Sequence, residues 1–226
     1  MNSFHELSSR LSAQVGIAIA SVGSSPVSLG TWSSGVAWST SKVPLAIAAL
    51  REGVGGHQLL ARTIAQSDNA AAEELWSQLG DPASAARQVQ DVIREAGDPA
   101  TVVESRRLRE GYTAFGQTRW SLADQARFAA GLSQVAGASP VVDLMRGLTA
   151  DHRWGLAAKG FAAKGGWGPG LAGDYLVRQF GIVPTAAGSV GVAIAAEVHG
   201  GGEYEAGVDV VNRLADWVAD EALSQQ

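Results

Sequence analysis

The sequence contains no cysteine, which removes disulfides, thiol nucleophiles and thiolate metal sites and fits either side of a membrane. Lysine is scarce as well: 3 Lys, at positions 42, 159 and 164, stand against 14 Arg. No run of basic residues occurs and the formal net charge is -5. That balance argues against nucleic acid or an anionic lipid surface as the main partner and suits a small neutral or zwitterionic substrate. No apolar run approaches the roughly 20 residues of a spanning helix; residues 15–22 and 190–196 have the length of buried strands. The four His, at 5, 57, 152 and 199, have no metal-ligand spacing, and no metal or cofactor is expected. There is no GxSxG elbow, no phosphate-binding string and no GxGxxG before a helix. Residues 1–10 lack an apolar core of the kind a secretory leader needs, so the chain reads either as cytoplasmic or as one whose leader has been cut away.

Three short strings stand out against these absences: Ser39-Thr40-Ser41-Lys42, Ser67-Asp68-Asn69 and Lys164-Gly165-Gly166. With 21 Ser, 3 Lys, 11 Asp and 3 Asn in 226 residues, SxxK arises by accident about 0.3 times and SDN about 0.01 times. Together they supply a hydroxyl nucleophile, an amine base and a cationic clamp, the equipment of an active-site serine hydrolase. Two of the three lysines fall inside these strings, and lysine, unlike arginine, can lose its proton and act as a base.

The pattern along the chain predicts a helix over 2–13, a hairpin over 15–22 and 27–32, and helices near 40–52, 57–66, 70–79, 83–96, 121–135 and 140–148. Strands are expected at 160–167, 174–183 and 189–198, and an amphipathic helix at 204–223. Segregated strands and helices indicate an α+β fold with an antiparallel sheet packed by the terminal helices. The expected division is an α/β lobe of residues 1–36 and 156–226 and an all-helical lobe of 37–155, with the active site between them.

The three strings, and residues 57–75 and 120–126 around them, resemble the class A β-lactamases and penicillin-binding D,D-peptidases, whose marks are SxxK, SDN and a KTG-type strand. The likeness spans nearly the whole chain, although only about 24 residues separate Lys42 from Ser67, fewer than the family usually has. It implies a β-lactamase/transpeptidase-like fold, a monomer, a location outside the cytoplasmic membrane, and a substrate that is a D-alanyl (peptidoglycan) peptide, a β-lactam or a related small amide or ester. In the implied mechanism Ser39 is the nucleophile and Lys42 its base, the two meeting on one helical turn. Ser67 relays the proton and Asn69 holds the acyl side chain. Lys164 anchors an anionic end, Gly166 lets the strand approach the substrate, and the backbone N–H groups of Ser39 and Trp167 form an oxyanion hole. Lys159, five positions earlier, is a rival: an odd separation on a strand puts the two on opposite faces, so only one can face the cleft. Lys164 is preferred because Gly165-Gly166 lets the backbone approach the substrate closely and a Gly168-Pro169-Gly170 turn follows.

The pattern departs from the family in two places. Gly165 stands where the KTG strand carries a hydroxyl; Arg178 on the next strand could replace that contact or could equally be a solvated surface residue. Residues 102–118 contain no ExxLN string, and Glu104 and Glu110 read as surface partners of Arg106, Arg107 and Arg109. Efficient β-lactam hydrolysis is therefore not expected, and an acyl-enzyme should persist. The competing readings are a catalytically impaired binding or scaffold protein, and a true β-lactamase that uses Glu104 or Glu110.

Overall fold

The computed structural model describes residues 2–201 and 203–224. It is an α+β fold, as the strand and helix patterns require. Helix α1 (Asn2–Ser8) is followed by strands β1 (Gln14–Ala20) and β2 (Val27–Gly30), paired antiparallel with Ile17 opposite Leu29. α1 stops five residues short of the predicted end. The hydroxyls of Ser8 and Ser9 bond back to the carbonyls of His5 and Glu6, offering the last turn an alternative to continued helix.

Five antiparallel strands build the main sheet in the order β2-β1-β7-β6-β5, with β5 (Ala162–Pro169), β6 (Tyr175–Thr185) and β7 (Gly188–Val198) forming a meander. The first two strands and the last three thus share one sheet, joined where β1 pairs with β7. A second sheet escaped prediction: β3 (Ser34–Val36) pairs with β4 (Arg119–Ser121) over three residues each, too few for any period to show.

Helices α2 (Lys42–Arg51), α3 (His57–Ala65), α4 (Asn69–Gln78), α5 (Pro82–Glu95), α6 (Leu122–Gly131) and α7 (Ala138–Arg146) lie within a turn of their predicted places. Asp81 caps α5 by accepting from the N–H groups of Ala83 and Ser84, with Pro82 at its first position. α2 is buried from Lys42 through Ala49, which explains its nearly uniform apolar sequence: a helix enclosed on every side has no polar face to show. The sheet is sandwiched between α6 and the C-terminal α8 (Tyr204–Ser224). Gly191 on β7 makes the first contact possible, since a Cβ there would lie 2.1 Å from the Ala126 carbonyl oxygen of α6.

Candidate active site

A 3-10 turn, Trp38–Ser41, leads directly into α2 and abuts β5. The approach is close enough to demand glycine twice. A Cβ at Gly166 would lie 2.8 Å from the Ser39 nitrogen, and one at Gly168 would lie 2.5 Å from the Trp38 ring. Trp38 itself has φ +51° and Ser67 has φ +52°, the two non-glycine residues with positive φ among those described. Such a backbone costs on the order of 1–3 kcal/mol per residue and persists only where its surroundings enforce it. Both strained residues flank the same cleft.

That cleft has a volume of about 310 Å³, and Ser39, Lys42, Ser67, Asn69 and Trp167 line it together with Trp38. Lys42, the first residue of α2, and Lys164, on β5, are each only 1% exposed. Between them lies Ser67. Lys42 Nζ donates to the Ser67 carbonyl, to Asn69 Oδ1 at 2.7 Å and more weakly to Ser67 Oγ at 3.3 Å. Lys164 Nζ approaches the same Oγ at 2.8 Å and the Gly165 carbonyl at 3.0 Å. One hydroxyl therefore joins two buried amines. Burial pulls the Lys42 pKa down to about 7, against an opposing pull from the Asp68 carboxylate. Lys164 lies well below the ordinary lysine range, through burial first and then through the charge of Lys42.

Asp68, the middle residue of SDN, holds the loop. Its carboxylate caps α4 by accepting from the N–H groups of Ala70 at 2.8 Å and Ala71 at 3.1 Å, and Arg62 donates to it from the preceding helix. This fixes Ser67 and Asn69 on either side of it.

The fold departs from several sequence expectations. Ser39 and Lys42 share the turn, but no hydrogen bond joins Ser39 Oγ to Lys42 Nζ among the described residues; the amine is turned instead toward Ser67 and Asn69. Lys159 is not on the opposite face of β5 at all. It ends a separate 3-10 turn, Gly155–Lys159, and pairs with Asp216 of α8, so the two lysines do not share a strand and parity does not relate them.

Arg178 is not a surface residue, and it is not among the residues that line the cleft. It is fully buried, donates from Nη1 to the carbonyls of Gly35 (3.1 Å), Val36 (3.2 Å) and Trp120 (3.1 Å) and from Nη2 to Gln125 Oε1 (2.8 Å), and lies over the Trp32 ring. Gln125 in turn donates to Thr40 Oγ1 at 2.9 Å, so the guanidinium ties β6 and the small sheet to the turn that carries Ser39.

The missing hydroxyl at position 165 has a cause visible only in three dimensions. A Cβ at Gly165 would meet the Trp154 indole at 2.5 Å, so the ring occupies the space a threonine would need. Trp154 also packs edge-on to Trp167 at 6.1 Å, and Trp167 lies against Tyr204 at 5.0 Å and His152 at 5.3 Å.

No carboxylate lines the cleft among the described residues. Glu104 is engaged by the backbone and side chain of Arg106, which hold its carboxyl below the usual range. Arg107 pairs with Glu73, and Arg109 has no acidic partner among the described residues; it donates to the Pro169 carbonyl at 2.7 Å. The segment instead contributes Tyr112 and Thr113 to the cleft wall, joined by Tyr175 from β6. Sequence reasoning passed over all three, since no motif marks them.

No helix among the described residues is long and apolar enough to cross a membrane, and no group of His, Asp or Glu in them is arranged to hold a metal.

Comparison with known proteins places this architecture. The described fold is similar to a β-lactamase from Chitinophaga pinensis DSM 2588 (TM-score 0.74, 19% identity, 98% of each chain covered). It is also similar to the TLA-3 extended-spectrum β-lactamase (TM-score 0.70, 15% identity, 96% of this chain and 97% of that one). A third likeness is to a β-lactamase from Sphaerobacter thermophilus DSM 20745 (TM-score 0.67, 18% identity, 93% and 92%). No curated protein sequence matches the chain. The model of the β-lactamase enzyme family matches residues 54–222, a span that includes SDN and Lys164 and begins after Ser39 and Lys42. With three quarters of its length matched by that model and its fold shared with solved β-lactamases, the chain belongs to the β-lactamase enzyme family.

Proposed function

We propose that the protein is a serine acyl-transfer hydrolase of the β-lactamase and D,D-peptidase type, forming an acyl-enzyme on Ser39 from a D-alanyl peptide, a β-lactam or a related small amide or ester. The observation that carries this reading is the pair of buried amines joined through Ser67 Oγ, which lines the cleft together with Ser39 and Lys42. Two neighbouring buried ammonium groups repel each other and lose hydration, so one of them is neutral near pH 7 and available as a base. Lys42 then takes the Ser39 proton as Oγ attacks the carbonyl. The proton passes along Ser67 Oγ to the leaving nitrogen, with Lys164 stabilising the charge that develops there. The backbone N–H groups of Ser39 and Trp167 receive the oxyanion, and Asn69 pairs with the acyl amide once Lys42 releases it.

Deacylation is the slow half in this scheme. Among the described residues the cleft wall offers no carboxylate to activate water, so the acyl-enzyme is long-lived. The fold family carries a monomer acting outside the cytoplasmic membrane into the same proposal.

The test is intact-mass measurement during incubation with a penicillin, using Ser39→Ala as the control. A long-lived adduct that the variant lacks supports the proposal. A second reading, a binding protein that keeps the motifs without chemistry, draws on Lys42 being turned from Ser39 toward Asn69. It takes over if no adduct forms with penicillins or activated esters.

A further inference from the structure

Beside the cleft runs a second groove of about 530 Å³, and the two share Trp38, Gly168 and Pro169 as walls. Leu108 and Leu171 line the groove although they are 54% and 90% exposed, an amount of uncovered aliphatic surface that suits an apolar ligand arm. At the junction stands Arg109. Its guanidinium lies 4.6 Å from the Tyr112 ring and 5.6 Å from the Trp38 ring, and Nη1 donates to the Pro169 carbonyl. Two aromatic faces and one carbonyl fix the fork, while Nε and Nη2 meet no acceptor among the described residues. Its neighbours on the same loop differ in that each has an acid: Glu104 for Arg106, Glu73 for Arg107. A pre-oriented guanidinium with unused donors is the arrangement that recognises a carboxylate.

Building on the proposed acyl-enzyme chemistry, the geometry points to the groove as the seat of the substrate's acyl arm, with Arg109 as the residue that selects an arm bearing a carboxylate. The arm leaves the cleft past Pro169 on the side of Tyr112 and Asn69. It crosses Trp38 and lays its methylenes on Leu108 and Leu171. Asp174 and Glu197 also line the groove, as does a second cation, Arg119. Arg109, held against Trp38 and Pro169 of the shared wall, is the one the arm meets as it leaves the cleft, and an arm without an anion gains only the apolar contact. This differs from anchoring by Lys164, which acts on the leaving-group side of Ser39.

The test uses two penicillins that differ at one atom group, 6-aminopenicillanate acylated with hexanoic acid and with its dicarboxylic counterpart, adipic acid. Acylation rates are followed by intact mass. The adipyl compound is expected to react about tenfold faster, the lower end for a charge-assisted hydrogen bond at a partly exposed site. Arg109→Gln should bring the ratio close to one, and Arg109→Lys, which keeps the charge and loses the fork, should retain part of it. Arg106→Gln on the same loop should leave the ratio as it was. Raising the salt should shrink the wild-type ratio. Equal rates in the wild type, or a ratio that survives Arg109→Gln, would overturn the inference. If neither compound acylates Ser39, the proposed chemistry fails separately, and calorimetric binding of the same pair to Ser39→Ala decides the arm site. Tighter adipyl binding that Arg109→Gln abolishes supports it, and indistinguishable binding sinks it.

Discussion

Two buried cationic sites lie on neighbouring strands of the same sheet, and they behave oppositely. On β6, Arg178 is enclosed completely, yet four hydrogen bonds and a Trp32 ring receive its guanidinium. Burial lowers its pKa only to about 9, so it remains charged and serves as a brace. On β5 and α2, Lys164 and Lys42 are equally enclosed but face each other across one serine hydroxyl. Burial brings Lys42 to about 7 and Lys164 well below the lysine range. Arginine keeps its proton under such conditions and must be satisfied; lysine can give it up. The same physical pressure thus makes a structural post from one and a titratable base from the other.

Replacing each cation by an apolar side chain should separate the two sites most sharply. Lys42→Met should slow acylation of Ser39 by about a thousandfold, the scale of a lost general base, with a melting temperature equal to or above the wild type because a costly buried amine is gone. Arg178→Ala should do the reverse on the stability axis, losing roughly 3–5 kcal/mol in chemical denaturation through orphaned carbonyls and a cavity. A Lys42→Met protein that unfolds readily while Arg178→Ala stays stable would invert the comparison.

The pH dependence sharpens it further. If Lys42 is the base, acylation rises about tenfold per unit below a pKa near 7 and levels off above it. The same depressed pKa bears on folding. The unfolded lysine binds its proton up to about 10.4 while the folded one has released it by about 7, so between those values the unfolded state holds more protons. Stability should then increase with pH across that window and show no further Lys42 contribution below it. Denaturation midpoints at pH 6, 7.5 and 9 read this directly; Lys42→Met should reduce the trend, leaving the part contributed by the buried Lys164.

A smaller effect attends the restored motif. Gly165→Thr puts a side chain against the Trp154 indole and should cost about 1–3 kcal/mol as overpacking; a variant as stable as the wild type would show that Trp154 yields easily. Smallest of all, Glu104→Gln should change the lifetime of the acyl-enzyme by less than about twofold, since its ion pair with Arg106 is a surface one. A large change in that lifetime would return Glu104 to the chemistry.

Much of the fold was legible because its signals are local. The amphipathic pattern of α8, the proline-led start of α5 and the apolar, strand-length runs of β6 and β7 each depend on residues a few places apart. The same holds for the three strings, whose order and rarity marked the family; the first two line one cleft, and Lys164 of the third bonds to Ser67 Oγ in its wall. The two-stranded sheet of β3 and β4 was invisible, since its partners are short and some 85 residues apart. Tyr112, Thr113 and Tyr175 belong to no string, so only the folded wall reveals them. Arg178 could be read either as a substrate contact or as a surface residue, because a strand's sequence does not state what packs over it.

The sequence by itself determined the helices, the strands of the main sheet, the α+β class and the motif residues Ser39, Lys42, Ser67 and Asn69 of the cleft. Those follow from periodicity, capping and motif chemistry, which act over a few residues. Only the tertiary structure decided that Trp154 fills the place of a threonine at 165, that Arg178 braces the Ser39 turn through Gln125 and Thr40, and that Lys42 and Lys164 share Ser67. These are contacts between distant segments, and a buried charge takes its character from whatever the fold brings beside it.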